Sequence, residues 1–96
     1  MTKKEIKKTI NKEFYKYVTE SFPDYYIDDS EGDGTVTLLD ETSRHPGDDS
    51  IMFHRSEHYL VTLNWASDKV KRDCEVMENY LKQLVTLVES KAKVSQ

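Results

Sequence analysis

The sequence has little that staples or interrupts a chain: one cysteine, three glycines and two prolines in 96 residues. The lone Cys74 excludes an internal disulfide and a cysteine-based zinc cluster, and points to a reducing cytoplasm. So few breakers, with 36% apolar and 33% charged residues, exclude a linker or a disordered acidic tail. No run of eighteen apolar residues is present and the N-terminus carries no apolar segment, so neither a membrane span nor a signal peptide is expected. No internal repeat and no glycine-rich phosphate loop behind a strand occurs. The length suits one domain, residues 1–96, with little room for an enclosed active site.

What is present is a segregated charge. Residues 1–20 carry six lysines against Glu5, Glu13 and Glu20. Residues 21–50 carry nine acids, namely Asp24, Asp28, Asp29, Glu31, Asp33, Asp40, Glu41, Asp48 and Asp49, against Arg44 alone. The remainder is close to neutral, and the formal net charge is −4. Such a field bears on which partners a protein attracts, not on its fold.

Local patterns predict the elements. Thr2 and Glu5 form a capping box ahead of Ile6, Ile10, Phe14, Tyr17 and Val18, which share one helical face, and Pro23 stops that helix. Lys4, Lys8, Lys12 and Lys16 line another face at i, i+4 steps, where each like-charge pair costs about 0.2–0.5 kcal/mol; the acidic middle of the same molecule, or of a neighbour, is the expected compensation. Tyr25–Ile27 and Thr35–Leu39 flank a turn containing Asp33-Gly34, with Val36 and Leu38 facing inward. Ile51–Phe53 follows a polar loop, and Arg55–His58 makes a second tight turn. Tyr59, Val61, Leu63 and Trp65 then alternate with Leu60, Thr62 and Asn64 in a half-buried strand. Beyond the N-cap Ser67, Val70, Cys74, Met77, Leu81, Leu84 and Val88 repeat as an a/d seam in a helix to about Ala92. The expected fold is α+β: a two-layer sandwich, α-β-β-β-β-α, with both helices on one face of a four-stranded antiparallel sheet.

Residues 29–40 place acids at positions 1, 3 and 5 (Asp29, Glu31, Asp33), Gly34 at 6 and Asp40 at 12. This resembles the calcium loop of the EF-hand family, whose ligands come from those positions. It departs in Asp40, where the family has a bidentate Glu, and in the length of Glu31. No exiting helix is expected before Pro46, and Pro23 ends the entering helix early. An acidic β-turn accounts for the same residues, so no metal or cofactor is expected. His45, His54 and His58 offer no three convergent ligands. Cys74 sits on the core seam, so burial, not nucleophilic chemistry, is its expected role. No enzymatic constellation is expected.

The expectation is a non-catalytic acidic binding protein that occupies a basic surface of another protein through Asp28, Asp29, Glu31, Asp33, Asp40, Glu41, Asp48 and Asp49. Alternate carboxylates in an extended segment lie about 6.6 Å apart and would compete with nucleic-acid phosphates for a Lys/Arg groove. In composition the chain is similar to phage-encoded inhibitors of host nucleic-acid enzymes, such as anti-CRISPR and anti-restriction proteins. That resemblance implies a cytoplasmic protein partner, with no direct nucleic-acid or membrane contact. The alternative expectation is a structural protein that assembles through the heptad helix, as in a homodimer.

Overall fold

The computed structural model describes residues 2–30, 34–45 and 47–94. Helix α1, Lys3–Ser21, leads into strands β1 (Tyr25–Asp28), β2 (Thr35–Asp40), β3 (Ser50–His54) and β4 (Tyr59–Thr62), and helix α2 spans Asp68–Val94. The four strands form one antiparallel meander in the order β1-β2-β3-β4. Both helices pack on one face of it, the expected α+β arrangement. No helix among the described residues is long and apolar enough to cross a membrane.

Helix α1 starts where the capping box predicts. The Thr2 hydroxyl oxygen accepts from the Glu5 N–H at 3.1 Å, and the same hydroxyl donates to the Glu5 carboxylate at 3.3 Å. Its end at Ser21 precedes Phe22-Pro23, and the Phe22 N–H still donates to the Val18 carbonyl at 2.8 Å. Helix α2 is capped by Ser67, whose hydroxyl oxygen accepts from the Val70 N–H at 3.3 Å. Its 27 residues span about 40 Å at 1.5 Å per residue, most of the 48 Å long axis of the molecule.

Strand pairing decides which side chains meet the helices. Val36, Phe53 and Leu60 lie in one register row, and Ile27, Leu38 and Ile51 in the next. These rows meet Ile10, Phe14 and Val18 of α1 and the Val70–Val88 seam of α2 in one apolar core. Aromatic contacts bind the layers: Phe14 lies 4.7 Å from Phe53, and Tyr17 stacks on Tyr80 of α2 at 3.7 Å between ring centroids.

One expectation changes. Strand β4 ends at Thr62, short of Trp65, because the chain turns there to reach α2; the Ala66 N–H donates to the Leu63 carbonyl at 3.1 Å, and Lys71 Nζ donates to the Asn64 carbonyl at 2.8 Å. The heptad seam of α2 is buried against its own sheet and α1, with Leu81 and Met77 essentially inaccessible. Within one chain these side chains are part of the core. Cys74 shares this burial, which pushes its thiol up to about 11, with Glu78 adding to the shift.

Candidate functional site

The meander sends the acidic residues to opposite ends of the sheet. Asp28 and Asp29 stand where β1 leaves toward the Arg55–His58 turn end. Asp40, Glu41, Asp48 and Asp49 stand at the other end, beside the start of α2. Strand β2 lies between, and its five steps from Thr35 to Asp40 cover about 17 Å. Asp29 and Asp40 thus cannot close on one ion, which removes the EF-hand geometry. Glu31 and Asp33 lie outside the described residues. Among the described residues no cluster of three His, Cys, Asp or Glu side chains is placed to hold a metal.

Several of these carboxylates are used inside the fold. Asp40 is only 3% exposed, so it has no surface to offer a partner, and its assignment to the binding face is corrected. Its Oδ1 accepts from the Thr42 N–H at 2.9 Å and the Thr42 hydroxyl at 2.6 Å, and its Oδ2 accepts from Lys69 Nζ at 3.1 Å. Burial pushes its carboxyl up, but the Thr42 and Lys69 interactions outweigh that and hold it below the usual range. Asp49 accepts from the Ser67 N–H at 2.7 Å and from the Ser43 hydroxyl at 2.6 Å, tying the β2–β3 loop to the first turn of α2. Hydrogen bonds from Ser43 and Ser67 hold its carboxyl low. Asp28 accepts from the Ser30 N–H at 3.0 Å in a local turn, and Asp48 accepts from the Trp65 indole N–H at 3.0 Å. Asp29 and Glu41 are exposed. Among the described residues the carboxylates stand at two separate ends and not on one continuous surface.

Between those ends lies a feature that the sequence pattern hid. The face of the sheet away from the helices carries Tyr26 paired with Leu39, Met52 paired with Thr37 and Val61, and His54 paired with Thr35 and Tyr59. Tyr26 is 55% exposed, Tyr59 44% and Val61 37%, and no described element covers them. The His54 ring stacks on Tyr59 at 4.3 Å. In β4 the residues facing the core are Leu60 and Thr62, so the more apolar alternating set, Tyr59 and Val61, faces out. A strand whose two alternating sets are both partly apolar is the one signal in the sequence that marks such a face. Trp65, 68% exposed, stands at the Asp48 end.

The remaining candidates are dispersed. His45 is exposed in the β2–β3 loop, His54 lies on the open face, and His58 packs against the Phe53 ring at 6.5 Å. Lys4, Lys8, Lys12 and Lys16 are exposed on α1, and the salt bridges among the described residues are made by Lys69 and Lys82 instead. Among the described residues no acid of the 21–50 segment is ion-paired with the lysine stripe. Comparison of the chain with protein-family models, with curated proteins and with solved structures finds no match.

Proposed function

We propose that this chain is a non-catalytic binding protein whose open sheet face, with the acidic group at each end, docks on a basic, nucleic-acid-binding surface of another protein. The observation that carries this reading is the uncovered apolar and aromatic face of Tyr26, Leu39, Met52, Tyr59 and Val61. Tyrosine and methionine are enriched where interfaces carry their energy, and charge at the rim steers encounter and selects partners. Four strands at about 4.8 Å spacing and about 17 Å of length give the face a plan area of only about 250 Å². A stable interface takes about 800 Å² from each partner. The face must therefore extend over both ends, which brings in Asp28 and Asp29 on one side and Glu41, Asp48 and Trp65 on the other. A partner covering that footprint meets an apolar centre between two negative edges. A groove that normally holds nucleic-acid phosphates, lined by Lys and Arg with an apolar floor, has the matching chemistry. Occupying it excludes the nucleic acid, so the biological reading is a cytoplasmic inhibitor of the phage type acting on a host or defence enzyme.

The test is capture from nuclease-treated lysate at about 0.1 M salt, where charge is felt over about 10 Å. Three baits are compared: wild type, Tyr26→Ala with Val61→Ala, and a variant with Asn or Gln at Asp29, Glu41 and Asp48. Wild type is expected to retain a nucleic-acid enzyme that added DNA or RNA displaces. The apolar variant loses it, and the neutralised variant releases it at lower salt. Equal retention by all three baits, or a captured protein indifferent to nucleic acid, overturns the reading.

A further inference from the structure

A second recess lies on the helix side, sharing no residue with the open sheet face. Helix α1 and the Arg55–His58 turn border two adjoining cavities, of about 410 Å³ and about 760 Å³, with Lys7 and Ser56 common to both. The smaller is apolar on one side, where Ile6, Ile10 and Ala92 meet, and is bordered by His58 and Glu89. The larger is cationic, lined by Lys4, Lys8, Lys12 and Arg55 beside Tyr15 and Asn11. From Lys3 to Lys12 the lining runs nine residues along α1, about 14 Å. No ion pair neutralises these α1 lysines among the described residues; Glu89 is the carboxylate that faces the smaller cavity.

Two independent features mark the recess as more than a solvated helix face. Asn11 Oδ1 and His58 Nε2 are both withdrawn from solvent and make no hydrogen bond among the described residues. Such atoms cost stability unless something pairs with them. His58 also takes φ 60°, a left-handed backbone that glycine or asparagine enters more easily. A bulky ring is thus held at a strained turn position, against Phe53, in the lining of the smaller cavity. Burial and the neighbouring Lys7 hold the imidazole below its ordinary range, with Glu89 and Glu57 opposing, so at neutral pH it is an uncharged ring.

We propose that this recess binds a nucleoside polyphosphate, its ring system in the smaller cavity between Ile6, Ile10, Ala92 and His58, and its phosphates along Lys4, Lys7, Lys8 and Arg55 in the larger. The volumes suit a small organic ligand. The split between one apolar chamber and one cationic chamber selects a molecule with those two halves, which neither inorganic phosphate nor an apolar ligand has. His58 and Glu89 border the ring half, and Asn11 borders the phosphate half.

Calorimetric titration of the full chain tests this, with the four common ribonucleoside triphosphates, the four nucleosides and inorganic tripolyphosphate as probes. At least one triphosphate is expected to bind more tightly than both its nucleoside and tripolyphosphate. His58→Gly, which suits the left-handed turn and is checked by an unchanged fold in circular dichroism, should bring that nucleotide down to the tripolyphosphate level. Lys7→Ala with Arg55→Ala should weaken it by about tenfold or more, as removal of charge-assisted bonds does. No binding at millimolar nucleotide overturns the proposal. So does tripolyphosphate binding as tightly as the nucleotides, which would show a lysine stripe attracting any polyanion. An undiminished affinity in His58→Gly would remove the ring cavity from the site.

Discussion

Lys69 Nζ reaches from the first turn of α2 to Asp40 Oδ2 at 3.1 Å, joining residues 29 positions apart in the chain. Lys69 also lies 3.9 Å from Asp24 and 5.5 Å from the centre of the Tyr25 ring, so one ammonium group gathers the ends of β1 and β2 under the helix. Replacing Asp40 with Ala strips this group of its buried partner and leaves the Thr42 donors unmatched. A loss of about 2 kcal/mol in urea unfolding is expected. Glu41→Ala, one residue on and exposed, should change little.

The acid side of the stability profile should follow the same groups. Asp28, Asp40 and Asp49 all have carboxyls held below the ordinary value of 3.8 in the folded chain. A lowered folded pKa adds stability that is complete well above the unfolded value and is lost as pH falls through the folded one. Stability should therefore hold from neutral pH to about pH 5 and fall below about pH 4. Urea midpoints measured across that range should show a shallower acid decline in Asp40→Asn with Asp49→Asn than in wild type.

Asp49 acts as a cap supplied from outside the helix. Asp49→Ala frees the Ser67 N–H and the Ser43 hydroxyl together. The expected effect is a lower urea midpoint, as for a lost cap. Hydrogen exchange should speed up in the first turn of α2 and in residues 43–49 alike, and an effect confined to one of them would mean the two are not coupled.

Helix α2 should behave as a core element of the monomer. Leu81→Ala should cost about 2–5 kcal/mol by leaving a cavity, at every protein concentration tested. Leu87→Glu, on the exposed side at 53%, should leave both the melting temperature and the sedimentation coefficient near wild type. A concentration-dependent melting temperature for Leu81→Ala would show that the seam meets another chain.

Cys74 should react slowly with iodoacetamide at neutral pH, since burial keeps it a thiol. Alkylation should rise with denaturant in step with unfolding. Fast labelling of the native chain would show that the seam opens locally.

The parts of this fold that were legible in the sequence are those written in near neighbours. Thr2 and Glu5, Phe22-Pro23, and Ser67 ahead of Val70 are each complete within four residues, and the elements begin and end where they predict. The facing of β4 was not legible because it depends on pairing with β3. Phe53 opposite Leu60 puts Tyr59 and Val61 outside, although their own alternation reads as the more apolar set. The partners of two of the candidate acids were hidden for a related reason. Asp40 and Asp49 look like free acids in a polar loop, yet their partners Lys69 and Ser67 lie 29 and 18 positions away. The outward group of Tyr26, Leu39 and Met52 is likewise assembled from three strands, and no single window contains it.

The chain contains one tryptophan, Trp65, and it stands exposed at the Asp48 end of the sheet. That placement gives the molecule an intrinsic fluorophore that reports on one end only. A protein settling over the open face covers the indole and shifts its emission toward the blue. A ligand entering the recess beside Arg55 and His58, at the far end of β4, leaves the spectrum still. Occupancy of the two surfaces can be told apart optically in the unlabelled wild-type chain.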